Sequence, residues 1–501
     1  MKQQVLLMMI GMFLILSAAI ISESYAKISL VSDIKTNPTS PAWPQTLHDE
    51  YLSNRVPFNY AHNNWYQTIK VSNMTLFTPK GMIDSFADQM KFILQSQLDN
   101  SQFYLSQVDL MSGAIQLSGL KPKNLIPKNL HLPSYFFASG SMVGDKNGNM
   151  FMFATNDTLH YGSTYNYLLV VQAKEKTIQA IALSNFGNVM DFYKLGGLLI
   201  DEVNNHLIIS SSTHLMAVDL ETFTIKWKQQ LRVFKSQAVA VTGNIISINN
   251  NNGNVILFVA TVNSIFKIHS QDGLVLAITH LNQPEFENGE AGIGSITSLD
   301  GMDLLAVVMN GEASYSSSVY FVNMENQQYS LSMIQESNTR YLAYSCFSPT
   351  SFTHQDRSTN GVEMVRVTFA CQSSWFSTKN SLVLVSATAN VTSDFMGSKF
   401  TTPSIDYYSE LVSNTNMNHF WIGAASDKRD LISYFDIKTH ALIASNIQDK
   451  IRQVVHMDLS YAAELWDSSS ICHSFTASND RLYSCCLVKD QLVCRSVQYL
   501  N

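Results

Sequence analysis

The sequence predicts an all-β chain built from one repeated unit, and two observations carry that prediction. Short, continuously apolar runs come in pairs separated by polar turns, eight times over. The turn that follows each pair begins at 109, 172, 219, 269, 323, 386, 436 and 487, seven intervals with a mean of 54 residues. That is room for four strands and their turns, the size of one β-propeller blade. The expected architecture is a single ring of eight four-stranded antiparallel blades. Seven blades is the alternative, if the first or last hairpin merges with the N-terminal segment to close the ring.

Taken in order, residues 1–26 read as a signal peptide. Lys2 gives a small positive start, Val5–Ile21 is almost wholly apolar, and Ser24 and Ala26 are small residues at the cleavage-reading positions. The mature chain would begin at Lys27. An uncleaved anchor, which needs about 20 apolar residues, is the alternative. No later run is as long without charges, so no membrane span is expected after signal removal.

Residues 27–80 read as an N-terminal clasp, with Trp43-Pro44, Leu47-His48-Asp49 and Ser53-Asn54-Arg55-Val56-Pro57 as its marked positions. His48 and Asp49 could serve as an acid/base pair. The structural reading is a clasp held by Trp43 and Arg55, and it is preferred because nothing else nearby looks catalytic.

Residues 81–501 hold the repeats. The paired runs start at Phe92 and Phe103, Met150 and Tyr167, Leu207 and Leu215, Val255 and Ile265, Leu304 and Val319, Val365 and Leu382, Phe420 and Ile432, and Ile471 and Leu482. A blade is covered by neighbours on both faces, which explains why its strands are continuously apolar rather than alternating. Parallel α/β strands also read this way but need amphipathic helices between them. One candidate helix exists, Ile83–Leu98, where Ile83, Phe86, Ala87, Met90, Ile93 and Leu94 follow helical spacing. It competes with the strand at Phe92, and the other repeats favour the strand.

The third repeat is the most explicit. Leu215–Val218 is an apolar run closed by Asp219, the turn follows, and Ile225 and Trp227 begin the return strand. The pattern Ala217, Asp219, Thr222, Trp227 resembles the docking repeat of the quinoprotein-like (PQQ-type) β-propellers, A-x-D-x-x-[TS]-G-x-x-x-W. Phe223 stands where that family usually has Gly, which puts the turn type in question. The segment Trp43–Pro57 is similar to the opening segment of the same family. The resemblance implies a propeller in which Trp227 packs between blades.

Net charge is −7, which argues against a nucleic-acid partner needing a basic face. Aromatic residues are 11% and charged residues 14%, a composition that supports a large core. All six cysteines, Cys346, Cys371, Cys472, Cys485, Cys486 and Cys494, lie in the last third, and an even count behind an export signal suggests disulfides. Hairpin turns at Ala477–Asp480 and Lys489–Gln491 would pair Cys472 with Cys485 and Cys486 with Cys494, leaving Cys346 with Cys371. Some PQQ-dependent alcohol dehydrogenases carry a vicinal disulfide, so the resemblance also admits a Cys485–Cys486 bond. Three glycosylation sequons are present, at Asn73, Asn156 and Asn390; Asn37 is excluded by Pro38.

Candidate chemistry is thin. Glu285, Glu287, Asn288 and Glu290 could offer oxygens to calcium, but their spacing is not that of an EF-hand, and a solvated loop is the plainer reading. His354, Asp356 and Arg357 sit in a turn-rich connection. There is no C-x-x-C-H, H-E-x-x-H, G-x-S-x-G or Walker loop, and the 13 histidines are scattered, with lone ones such as His206 and His214 read as satisfied groups. The expected protein is secreted, extracellular or lumenal, without a cofactor, and binds an extracellular protein or glycan. The alternative implied by the resemblance is a dehydrogenase of alcohols or sugars using PQQ with calcium.

Overall fold

The computed structural model describes residues 65–498 with breaks, the longest at 133–141, 157–165, 188–196, 282–291, 334–343, 355–362 and 454–470. The signal peptide, the clasp as far as His48, Asp49 and Arg55, the Glu285–Glu290 loop, and Asp356 and Arg357 lie outside the described residues. Among the described residues the only helix is a single 3-10 turn, Leu183–Asn185.

Among the described residues the strands form eight sheets of four or more strands and one two-stranded sheet, Arg232–Val233 with Gln237–Ala238. The third sheet is a simple meander: Leu198–Asp201, His206–Ser210, His214–Asp219 and Ile225–Gln230, each antiparallel to the next. The fourth, Val241–Asn249 to Val275–His280, and the fifth, Gly292–Ser298 to Met333, repeat that order. In the first and second sheets a fifth strand is added. The extra strand of the second, Lys121–Pro122, runs parallel along the edge strand Thr177–Ala182. The sixth sheet (344–413) has six strands and the seventh (420–453) four.

The eighth sheet is assembled from both ends of the described chain. Ile471–Ala477, Arg481–Val488 and Gln491–Gln498 are its first three strands, and Trp65–Lys70 is the fourth. Trp65 pairs with Ser496 and Lys70 with Gln491. The clasp segment from Trp65 onward is thus built into the sheets.

All sixteen expected apolar runs fall inside strands, including Phe92, within Gln89–Ser96. The expected positions of the last repeats need correction. The strand through Ser386 runs on to Asp394 rather than ending at the expected turn, and the strands ending near Asp436 and Leu487 are the second of their sheets, whereas those ending at Asp219 and His269 are the third. An apolar run alone does not distinguish inner strands of one sheet, since each is covered on both faces.

That double coverage is visible residue by residue. Successive side chains of a strand point to opposite faces. Leu207, Ile209, Met216 and Val218 share one cluster with Phe151, Phe153 and Leu168 of the second sheet. Ile208, Leu215 and Ala217, between them in sequence, join Leu257, Val259 and Phe266 of the fourth. The same division links the first sheet to the second, the fourth to the fifth and the fifth to the sixth. Each fully buried side chain of this kind contributes roughly 1.5–3 kcal/mol. The first strands of consecutive sheets also touch: Met142–Gly144 lies beside Leu198–Asp201, which lies beside Val241–Asn249, which lies beside Gly292–Ser298.

Candidate functional site

Within each meander the first and third turns share one end of the sheet. In the first five sheets all ten of these turns hold four or five residues. At the other end the connections are unequal: two residues join Thr261 to Ser264, but twelve lie between Ala154 and Tyr167, eleven between His280 and Gly292 and ten between Met333 and Tyr344.

Two of the short turns are built alike. Asp219 Oδ1 accepts the N–H groups of Glu221 (3.0 Å) and Thr222 (2.8 Å) and the Thr222 hydroxyl (3.0 Å). Asp109 does the same for Met111, Ser112 and the Ser112 hydroxyl. These contacts explain the spacing D-x-x-[ST]: the carboxylate replaces backbone acceptors that a tight turn cannot supply. They, with Lys226 next in importance after the Thr222 N–H, hold the Asp219 carboxyl well below the usual range. Phe223 occupies the left-handed position at φ +56°, where Gly113 and Gly273 stand in the first and fourth sheets and Lys176 and Gln327 in the second and fifth. The turn type is therefore kept without glycine, at some conformational cost.

Trp227 lies opposite Ala217 and reaches the next sheet. Its Nε1–H donates to the Ser270 carbonyl at 2.8 Å. Its ring covers Gly273 so closely that a Cβ there would fall 2.7 Å from Cε3. Trp227 thus forms a contact between the third and fourth sheets. Trp65 makes the same contact from the eighth sheet to the first: Nε1 donates to the Leu110 carbonyl at 3.0 Å, and the ring covers Gly113. Sequence reasoning missed Trp65, which no D-x-x-[ST] turn directly precedes in sequence. The signal that could have found it is Asp109-x-x-Ser112-Gly113, which repeats Asp219-x-x-Thr222 and places a docking platform in the first repeat.

Polar contacts fasten the same end. Lys91 Nζ meets Asp84 Oδ2 at 2.5 Å, both side chains being 4% exposed, and Gly148 of the second sheet seats over the pair. Glu202 of the third sheet accepts the Lys146 N–H of the second at 2.5 Å. The Ser270 hydroxyl donates to Asp201, and Lys267 pairs with Asp303, linking the third, fourth and fifth sheets. Burial pushes the carboxyls of Asp145 and Glu202 up. Hydrogen bonds from Asn149 and Asn147 oppose it at Asp145, and the Lys146 N–H opposes it at Glu202. His206 is buried on the face it shares with its pairing partners Asp201 and Asp219, and its Nδ1 finds no acceptor or donor among the described residues. The expectation of a satisfied group fails at that atom.

Asp109 and Asp219 are spent on their own turns, and Asp201, Glu202 and Asp303 on neighbouring sheets. Among the described residues no three His, Cys, Asp or Glu side chains gather closely enough to hold a metal ion. No helix among them is long and apolar enough to cross a membrane.

The cysteine pairing departs from expectation. Cys485 is bonded to Cys494, not to Cys472. The turn after Val488 has two residues, Lys489 and Asp490, rather than three, and Val488 pairs with Gln491. That one-residue change of register exchanges Cys486 for Cys485 opposite Cys494. A bulge between Cys472 and Ser474 then sets Cys472 opposite Cys486. Cys346 lies opposite Cys371, as expected. Asn73, Asn156 and Asn390 are all exposed.

These features define an all-β protein of several four-stranded antiparallel sheets. No protein-family model matches the chain, and no curated protein matches it. Three solved structures are similar in outline. Hydrazine synthase of Kuenenia stuttgartiensis shares 12% identity over 72% of this chain and 96% of its own, at a TM-score of 0.39. The WD40 domain of SCAP from fission yeast shares 9% over 87% and 98%, at 0.41. Dihydro-heme d1 dehydrogenase NirN, in complex with DHE, shares 8% over 68% of each chain, at 0.35. Similarities of this size assign neither a family nor an activity.

Proposed function

We propose that the chain is an exported, eight-bladed β-propeller that binds an extracellular protein or glycan without transforming it. The observation that supports this reading most is the inequality of the two sheet ends. One end is a set of four- and five-residue turns, several of whose acidic groups brace their own turns or join neighbouring sheets. The other carries connections of ten to twelve residues on the same frame. Long connections on a rigid scaffold are where recognition is usually placed. The eight larger sheets supply the blades. The eighth, made from both ends of the described chain and docked on the first through Trp65, supplies the closure such a ring requires.

The test has two arms. Exported protein and a variant whose residues 282–291 are replaced by a short Gly-Ser turn are screened against a glycan panel and extracellular proteins. Binding by the parent that the variant loses, with unchanged melting, is expected. In the second arm purified protein receives the quinone, calcium and a panel of alcohols and sugars. Dye reduction that requires both additions would overturn the binding reading and install the dehydrogenase.

A further inference from the structure

We propose that Asn73, Asn156 and Asn390 are sites of N-linked glycosylation, and that the sugars at Asn73 and Asn156 screen the loop-bearing end over the first two sheets. The proposal rests on the export reading above.

The sequence contains three usable Asn-x-Thr triplets, and the fold leaves the asparagine of each exposed. A second observation is independent of the motif. Other asparagines spend their amides on the fold: Asn124 Nδ2 donates to the Ala180 carbonyl at 2.6 Å, and Asn149 and Asn204 bond Asp145 and Asp201. The three sequon asparagines do not. Asn156 and Asn390 are held through their backbone, by Asn166 Oδ1 and the Thr401 hydroxyl, and Asn73 through its carbonyl, which accepts from Gln97. None of the three side-chain amides bonds a described residue, so a glycan there displaces no described contact.

Transfer would precede folding. Asn390 lies inside a paired strand, and the Thr75 hydroxyl donates to the Gln95 carbonyl at 3.4 Å. Both triplets would have to be extended and unpaired to enter a transferase. The donor is a lipid-pyrophosphate-linked oligosaccharide. A bond forms from asparagine Nδ2 to the anomeric carbon, that carbon's bond to the pyrophosphate oxygen breaks, and one amide proton is released.

Position gives the proposal its consequence. Asn73 bonds Gln97 at the end of Gln89–Ser96, and Asn156 follows Met150–Ala154. Both lie away from the short paired turns. Sugars there would stand on the first two sheets, at the end that carries the longer connections.

The experiment is enzymatic removal of N-glycans from the protein recovered from its own source, followed by peptide mapping and N-terminal sequencing of the same material. The expected result is aspartate at 73, 156 and 390. Asn73→Gln, Asn156→Gln and Asn390→Gln should each remove one glycan, and Thr75→Ala should repeat the first effect. Unmodified asparagine at all three positions overturns the proposal. With Lys27 as the N-terminus, that result leaves the export reading standing; with Met1, both fall.

Discussion

Two regions of this chain hold their sheets together by different means. From Met74 to Met333 there is no cysteine, and consecutive sheets share apolar clusters and polar contacts such as Lys91–Asp84 and Lys267–Asp303. From Tyr344 to Gln498 lie all six cysteines, and the register sets them opposite one another on neighbouring strands. The cysteine-bearing region includes the sheet in which the two ends of the described chain pair. A five-residue turn brings the fourth strand of the third sheet to its partner, whereas Lys70 and Gln491 are about 420 residues apart. Loop-closure entropy makes that longer link cost about 4 kcal/mol more. A nine-residue disulfide loop returns about 2–3 kcal/mol by keeping the Arg481–Gln498 hairpin formed as a template. Trp65 adds the docking contact that Trp227 makes elsewhere.

The largest expected effect compares those two tryptophans. Trp65→Ala should cost about 3–4 kcal/mol and Trp227→Ala about 2–3, because Trp65 is the more buried. Denaturant unfolding of the two variants measures the order; equal losses would mean that closure carries no special burden. Next, Cys494→Ser should cost about 2–3 kcal/mol, and a Cys485→Ser/Cys494→Ser pair little more, since one bond is lost in either case. Additive losses would show that the two cysteines act separately.

Smaller effects sharpen the reading of the turns. Lys176→Gly and Gln327→Gly should each stabilise by about 1 kcal/mol, because both residues hold positive φ. Thermal melting of the variants checks the sign. Asp219→Asn keeps an acceptor for the turn but loses Lys226, a half-exposed partner, and should cost no more than about 1 kcal/mol at neutral pH. The folded carboxyl is held below its unfolded value. Its contribution is therefore present above the unfolded pKa and lost as pH falls through the folded one, and only the parent should show that acid loss.

The strands were legible because burial on both faces writes continuous apolar runs, as in Val255–Val259 and Leu304–Val308. The docking contact of Trp227 was legible because its turn, Asp219 to Phe223, adjoins it in sequence. Trp65 was not, since no D-x-x-[ST] turn directly precedes it in sequence and its strand joins a sheet made by the other end of the described chain. The cysteine partners were missed by one residue because Lys489 and Asp490 suffice for the turn, and turn length is weakly encoded when several polar residues adjoin. The inter-sheet contacts of Asp201 and Glu202 were illegible because no motif marks them and their partners, Ser270 and Lys146, are remote in sequence.

The central claim is that Trp65–Lys70 completes the sheet formed by the C-terminal strands. Thr68 lies directly opposite Val493. A Thr68→Cys/Val493→Cys variant, oxidised and mapped without reduction, should yield a peptide joining positions 68 and 493 within one chain, with the Cys485–Cys494 bond intact. Recovery of both new cysteines unlinked, or linked only between two chains, would contradict the account.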